Sequence, residues 1–181
     1  VENDTFFFGS VGRLSPEKGF DMLLKAFKAL SLNNENIRLL IVGDGPLESE
    51  LKLLSKKLDI NNKVIFTGFI SPAAKIINEL DALVISSYSE GMPMVMIEAG
   101  LMEKTIVATS VGGIPSALER YDAAILVESN NISSLEQGME QALNGMQSKG
   151  YSFNKWKELF ASSAMNESYL SFYKQVLKEY S

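Results

Sequence analysis

Residues 84–100 read V-I-S-S-Y-S-E-G-M-P-M-V-M-I-E-A-G, and this stretch decides how the rest of the chain is interpreted. It begins inside an apolar run, 82–85, of the kind found in buried strands. A short polar turn then leads to Glu90 and to Pro93, a residue type well suited to the first turn of a helix. Apolar residues continue beyond the proline and place Glu98 about one turn into that helix. The stretch therefore predicts a strand, a loop that carries Glu90 and a helix that carries Glu98.

The two carboxylates flank groups that suit an anionic ligand. Seven residues separate Glu90 from Glu98. Between them, Gly91 lets a ligand approach the backbone, and the free N–H groups at the start of a helix attract anions. The pattern predicts a ligand with hydroxyl groups at both ends and negative charge in the middle, as in a sugar, a diphosphate and a ribose. The plainer alternative is a solvated glutamate on a loop and another on a polar helix face.

The composition limits the classes of protein that fit. With 181 residues, 46% of them hydrophobic and 22% charged, the chain suits one α/β domain. A net charge of −5 and only three arginines argue against a nucleic-acid partner. Cysteine and histidine are absent, which excludes disulfides and histidine-based metal or catalytic sites. We expect a cytoplasmic setting, and a natural N-terminus upstream of Val1, because the chain does not begin with methionine.

Six short apolar segments predict the strands of a parallel sheet. Each segment is nearly continuous in apolar residues, as in strands buried on both faces. Helical stripes alternate with them, so the predicted fold is a Rossmann-like, doubly wound α/β sheet. The predicted strands are 6–11, 37–42, 64–67, 82–86, 105–108 and 124–127, and the helical stripes begin at Phe20, Leu47, Leu135 and Tyr169.

Proline and glycine cluster in the turns that follow these strands. Each of the five prolines lies between a predicted strand and a predicted helix, and eight of the thirteen glycines occur in the same turns. The carboxyl ends of parallel strands meet at one edge of the sheet, where open α/β sheets bind their ligands. We therefore expect the site at that edge.

The first of these turns, 12–19, reads G-R-L-S-P-E-K-G. It is neither a Walker loop nor a G-x-G-x-x-G dinucleotide turn. It does place Arg13 and Lys18 on one tight loop, where they could clamp a diphosphate. Taken alone, an arginine and a lysine on a loop are usually solvated charges.

Several separate motifs, in order, resemble those of retaining GT-B glycosyltransferases of family 4, also called glycosyl transferases group 1. The resemblance extends over roughly 6–181 and corresponds to the C-terminal, donor-binding half of the two-domain GT-B fold. It implies that 1–181 is one nucleotide-sugar-binding domain and that the N-terminal acceptor domain is absent from this chain. The matching elements are G-R-L-S-P-E-K-G at 12–19, V-G-D-G-P at 42–46, T-G-F-I-S at 67–71, the E-x7-E pair at 90–98 and T-S-V-G-G-I-P at 109–115.

The resemblance also implies an activity and residue roles. The full enzyme would transfer a sugar, with retention, from a UDP- or GDP-type nucleotide-sugar to an acceptor hydroxyl, without a metal cofactor. Arg13 and Lys18 would hold the pyrophosphate, Glu90 the sugar hydroxyls and Glu98 the ribose. Phe69 is equally compatible with packing in the core. The other implied donor-binding residues are Gly12, Gly43, Asp44, Phe69, Ile70, Gly91, Met92, Pro93, Met94 and Val95.

Some positions depart from the family pattern. Ser116 replaces a glutamate, 102–104 replaces a small residue and glycine, and 120–124 lacks a glycine-rich turn. Two other classes remain open: a non-catalytic nucleotide-sugar-binding module and a relative of the GT-B nucleotide-sugar epimerases. For the transferase, we expect the isolated domain to be inactive. The full-length enzyme would act on a glycan or lipid-linked acceptor and contact the inner face of the membrane peripherally.

Overall fold

A computed structural model describes residues 5–119, 121–145 and 153–160 and contains one six-stranded parallel sheet. The predicted strands are all present, with ends that differ by at most one residue. The third and fifth strands are one residue longer than predicted, and the fourth ends at Ile85 instead of Ser86. The strands are β1 Phe6–Val11, β2 Ile37–Val42, β3 Val64–Gly68, β4 Ala82–Ile85, β5 Thr105–Thr109 and β6 Ala124–Val127.

Helices follow the strands in alternation. The helices are α1 Phe20–Ser31, α2 Glu48–Lys57, α3 Ala74–Ile77, α4 Met94–Leu101, α5 Ile114–Leu118, α6 Ile132–Leu143 and α7 Phe153–Phe160. A short 3-10 turn, Pro16–Lys18, precedes α1. The predicted stripe that begins at Tyr169 lies outside the described residues, as does Met146 at the end of the stripe in α6. Within the described part of the chain, no helix is long and apolar enough to cross a membrane.

Two apolar cores cover the two faces of the sheet. Helices α1, α2 and α6 pack on one face, and α3, α4, α5 and α7 on the other. Successive residues of one strand enter different cores: Leu39 and Ile41 face the first, and Leu40 and Val42 the second. This explains why the strands are nearly continuous in apolar residues, and it confirms the Rossmann-like, doubly wound fold.

The strand order, β3-β2-β1-β4-β5-β6, defines where a site can form. The chain winds outward from β1 toward β3 and then returns to place β4 on the other side of β1. Phe8 pairs with Ala82 and Gly9 with Leu83 across that junction. The loops after β1 and β4 therefore leave the same edge side by side, at the topological switch point where open α/β sheets bind ligands.

Candidate functional site

The loops after β1 and β4 are tied together at the switch point. The Ser86 hydroxyl donates to the carbonyl of Lys18 at 3.0 Å, and the Tyr88 N–H donates to the carbonyl of Glu17 at 2.8 Å. Gly19 adopts φ 62°, and a Cβ there would overlap the carbonyl of Ser86. Glycine is thus required both for the left-handed conformation and for the close approach of the two loops.

The two loops bring Lys18 and Glu90 into direct contact. Nζ of Lys18 lies 2.6 Å from Oε1 of Glu90, and their side chains are 26% and 10% exposed. The hydroxyl of Ser87 donates to the same carboxylate oxygen at 2.7 Å. Because this pair is largely withdrawn from solvent, its attraction is screened less than that of a surface ion pair.

The β5 strand supports the loop that carries Glu90. Thr109, the last residue of β5, is fully buried and donates its hydroxyl to the carbonyl of Ser87 at 2.7 Å. Beyond it, the N–H of Gly113 donates to the carbonyl of Gly91 at 2.9 Å. The sequence reasoning missed Ser87 and Thr109, although both occur in the quoted motifs. Their role depends on β4 and β5 being neighbours, which the motifs do not reveal.

An open cleft of about 330 Å³ lies beside this ion pair, at the ends of β1 and β2. Its lining includes most of the predicted nucleotide-side residues: Gly12, Arg13, Gly43, Asp44, Phe69, Ile70 and Val95. Phe69 is 73% exposed, so the alternative that its ring packs in the core is wrong. The neighbouring Ile70 does pack against a core, on the α3 and α4 face of the sheet.

Lys18, Glu90 and Pro93 line a second, smaller recess of about 30 Å³. Val11 and Val95 line both this recess and the cleft, so the two spaces adjoin. The structure therefore brings Arg13, Lys18 and Glu90 to one continuous surface at the edge of the sheet. Met92 and Met94 are 50% and 62% exposed. The lining residues of the two spaces do not include Gly91, Met92, Met94 or Glu98.

Helix α4 begins one residue later than the sequence indicates. Pro93 lies just before it, with an extended ψ of 122°, and Met94 is the first helical residue. The first N–H groups of a helix have no partner within it, so those of Met94 and Val95 are available to a ligand. In the second turn, Oε2 of Glu98 is buried and has no hydrogen-bond partner within the described residues. A buried carboxylate oxygen without a donor costs free energy unless something else satisfies it.

The charged groups nearest the two spaces are Arg13, Lys18, Asp44 and Glu90. Arg13 and Asp44 are exposed, whereas Lys18 and Glu90 are partly buried. Within the described ranges, Asp and Glu side chains form no group of three or more that could hold a metal ion. Among the described residues that line the two spaces, the cationic side chains are those of Arg13 and Lys18.

A second polar cluster braces the outer side of the loop after β4. The hydroxyl of Tyr88 donates to Asp21 Oδ1 at 2.9 Å, and Lys25 contacts Asp21 Oδ2 at 2.9 Å. Partial burial and the adjacent carboxylate raise the pKa of Tyr88 to about 12. Burial pushes the pKa of Asp21 upward, but the hydrogen bonds from Lys25 and Tyr88 outweigh it and hold that pKa below its usual value.

A doubly wound parallel sheet with a topological switch point is typical of α/β domains that bind ligands at the carboxyl ends of their strands. The chain belongs to the Glycosyl transferases group 1 family, whose sequence profile matches residues 1–152. Its relatives include the capsular polysaccharide biosynthesis glycosyltransferase CapM of Staphylococcus aureus, which is 27% identical over 98% of this chain and 48% of CapM. An uncharacterised glycosyltransferase of Haemophilus influenzae is 34% identical over 80% of this chain and 40% of its own length.

Solved structures of glycosyltransferases share the fold. Anabaena HepE, crystallised with UDP, matches with a TM-score of 0.85 and 21% identity over 95% of this chain and 49% of HepE. This likeness confirms the Rossmann-like fold, which the chain shares with part of a solved GT-B glycosyltransferase. The chain spans less than half of the length of each of these three proteins.

Proposed function

We propose that this chain is the donor-binding half of a retaining glycosyltransferase, and that it binds a nucleoside-diphosphate sugar at the switch point. The contact between Lys18 and Glu90 beside the open cleft is the observation that carries the proposal. A nucleotide-sugar needs positive charge for its diphosphate and hydrogen-bond acceptors for its hydroxyl groups. Both occur here, on adjoining loops that the sheet holds in place.

The diphosphate would lie between the cleft and the recess. Arg13 lines the first and Lys18 the second, and the N–H groups of Met94 and Val95 start the helix behind them. These groups would stabilise the negative charge that develops on the leaving diphosphate, which is electrostatic catalysis without a metal. Lys18 would exchange part of its contact with Glu90 for a phosphate oxygen when the donor arrives.

The two glutamates would then contact opposite ends of the diphosphate. Glu90 lines the recess with Lys18, so it would accept hydrogen bonds from the donor sugar. Glu98 lies in the second turn of α4, where its buried and unpartnered oxygen would be satisfied by a ribose hydroxyl after a small adjustment of the side chain. In this arrangement, the seven residues between Glu90 and Glu98 would set the distance between the contact to the sugar and the contact to the ribose.

The nucleoside base would occupy the cleft. Its volume of about 330 Å³ suits a base and ribose, because ligand pockets commonly enclose about 300–1,000 Å³. The exposed ring of Phe69, beside Ile70, offers an apolar surface on which a base can pack. Asp44 and the main chain around Gly43 offer polar groups at the opposite wall.

The relatives indicate which donor and acceptor the reaction would use. CapM belongs to capsular polysaccharide biosynthesis, and the HepE structure contains UDP. By analogy, the whole protein would transfer a sugar from UDP or GDP to an acceptor of polysaccharide or glycolipid synthesis. Acceptor binding would require a second domain, because this chain corresponds to less than half of CapM.

Calorimetry with UDP, GDP and ADP in excess chelator tests the proposal. We expect one of them to bind with a Kd between high micromolar and millimolar, about −4 to −6 kcal/mol, as befits a half-open site. We also expect no sugar transfer by this chain alone. Absence of binding to all three nucleotides, or binding that disappears with the chelator, would contradict the proposal, as would transfer by the isolated domain.

A further inference from the structure

We propose that Ser87 is a positioning residue that fixes how the Glu90 carboxylate is oriented toward the donor sugar; this inference rests on the proposed function. Ser87 is 2% exposed, and its hydroxyl donates to Oε1 of Glu90 at 2.7 Å. Nζ of Lys18 lies 2.6 Å from the same oxygen. Within the described part of the chain, Oε2 accepts no hydrogen bond, so Oε2 is the oxygen left for a hydroxyl of the sugar.

Ser87, rather than Lys18, sets this orientation. The lysine reaches the carboxylate on a flexible four-carbon chain and acts as a point charge with little directional preference. In the proposed function its ammonium group also turns toward the diphosphate. The serine hydroxyl sits one torsion away from the backbone, so it can hold the carboxylate while Lys18 changes partner. The last torsion of a glutamate is otherwise broad, so a carboxylate without this hydrogen bond would sample a wide range of orientations toward the sugar.

The strand β5 fixes Ser87 itself. Thr109 is fully buried, and its hydroxyl lies 2.7 Å from the carbonyl of Ser87 and 3.4 Å from that of Ile85. The chain of contacts therefore runs from the rigid sheet through Thr109 to Ser87 and then to Glu90. Sites that are held to their productive geometry depend on supporting contacts of this kind.

The test measures how much the sugar contributes to affinity in each variant. Calorimetry gives the Kd of the nucleoside diphosphate that binds and the Kd of its glucose conjugate. The ratio of the first Kd to the second measures how much the sugar contributes to affinity. We expect Ser87→Ala to lower this ratio by about five- to ten-fold, which is comparable with the loss of one hydrogen bond. The Kd of the bare diphosphate should stay unchanged. The matched control is Ser55→Ala, another serine that is 2% exposed and donates one hydrogen bond, to Lys52 on α2. It should not alter the ratio, even if it lowers the melting temperature equally.

A double-mutant cycle distinguishes action through Glu90 from a general structural effect. If Ser87 acts through the carboxylate, Ser87→Ala should have no further effect on the ratio in a Glu90→Ala background. Thr109→Val should lower the ratio as Ser87→Ala does. Thr109→Ser keeps the hydroxyl and should therefore have the wild-type ratio. Additive effects of the two substitutions, or an unchanged ratio in Ser87→Ala, would overturn this inference alone. Failure of the wild-type chain to bind any of the nucleotides would instead overturn the proposed function.

Discussion

The α-carbon of Gly112 lies against the main-chain carbonyl of Glu90, so the turn after β5 supports the loop that carries the glutamate. Gly112 has φ 54°, and a Cβ at this position would overlap that carbonyl oxygen. The T-S-V-G-G-I-P turn, 109–115, is one of the motifs that carry the family resemblance. In the structure it also holds Glu90 in place, which gives one of its glycines a specific packing reason.

We expect Gly112→Ala to lower the free energy of unfolding by about 1–3 kcal/mol, because an alanine here would have a strained backbone and its Cβ would overlap the carbonyl of Glu90. It should also weaken binding of a nucleotide-sugar. Gly91→Ala is the contrasting variant, since a Cβ there meets no atom within 4 Å. Its stability should match the wild type while its affinity falls, because in the proposed site the ligand would approach the open side of Gly91. Chemical denaturation and calorimetry on both variants check the pair, and equal stability of the two variants would contradict this reading of Gly112.

Glu103 occupies a position that favours glycine. It has φ 58° and follows the end of α4, where its own N–H bonds to the carbonyl of Gly100 and that of Lys104 bonds to the carbonyl of Ala99. This is the Schellman pattern, which usually has glycine at the left-handed position. The carboxylate is also at the negative end of the helix dipole.

Glu103→Gly should therefore raise the free energy of unfolding by about 0.5–1 kcal/mol. The control is Glu119→Gly at the end of α5, where φ is −50°. In that ordinary helical conformation, glycine should instead destabilise by about 0.5–1 kcal/mol. The same sign of change in both variants, measured by denaturant titration, would mean that backbone conformation is not the cause.

The strand positions could be predicted because they depend on local composition. Nearly continuous apolar runs such as Ile37–Val42, which only Arg38 interrupts, indicate a strand that is buried on both faces, and the structure shows it in that role. The loops that carry Arg13, Lys18 and Glu90 were also correctly predicted to lie at one edge of the sheet. Pairing of particular side chains could not be predicted, because Lys18 and Glu90 are 72 residues apart. Their contact follows from β4 lying beside β1, and sequence motifs do not encode that strand order directly.

The stability of the loop after β4 should depend on pH through Asp21. Because hydrogen bonds from Lys25 and Tyr88 lower its folded-state pKa, the ionised carboxylate stabilises the protein above the unfolded pKa, near 3.8. That contribution is lost as the pH falls through the lower, folded pKa. The ion pair between Asp21 and Lys25 is partly exposed. Asp21→Asn should therefore lower the free energy of unfolding by no more than about 0.5–1 kcal/mol at pH 7.

Melting temperatures of wild type and Asp21→Asn should therefore converge as the pH falls below about 3.8. Tyr88→Phe removes one of the two side-chain donors to Asp21, so its melting temperature should lie between those of the wild type and Asp21→Asn. A difference between wild type and Asp21→Asn that stays constant from pH 7 to about 2.5 would show that the carboxylate charge is not responsible.

Lys18→Ala should weaken binding of the bare nucleoside diphosphate by about 1.5–3 kcal/mol, because it removes a charged donor and leaves Glu90 without its counter-charge. Lys52→Ala removes a lysine from a comparable ion pair on α2, with Glu48 at 2.6 Å, outside the site. It serves as the charge-matched control and should bind as the wild type does. Equal losses in the two variants, measured at one ionic strength, would indicate a nonspecific effect of net charge.

The assignment of the two glutamates is tested most directly by measuring the affinity of Glu90→Ala and Glu98→Ala for a nucleoside diphosphate and for its sugar conjugate. Glu98→Ala should weaken both ligands by about 1.5–3 kcal/mol, because the ribose is common to them. Glu90→Ala should leave the bare diphosphate nearly unchanged and weaken only the nucleotide-sugar. The opposite result, loss of diphosphate binding in Glu90→Ala and none in Glu98→Ala, would show that the two ends of the donor are reversed. Unchanged affinity in both variants would contradict a donor site at this edge of the sheet.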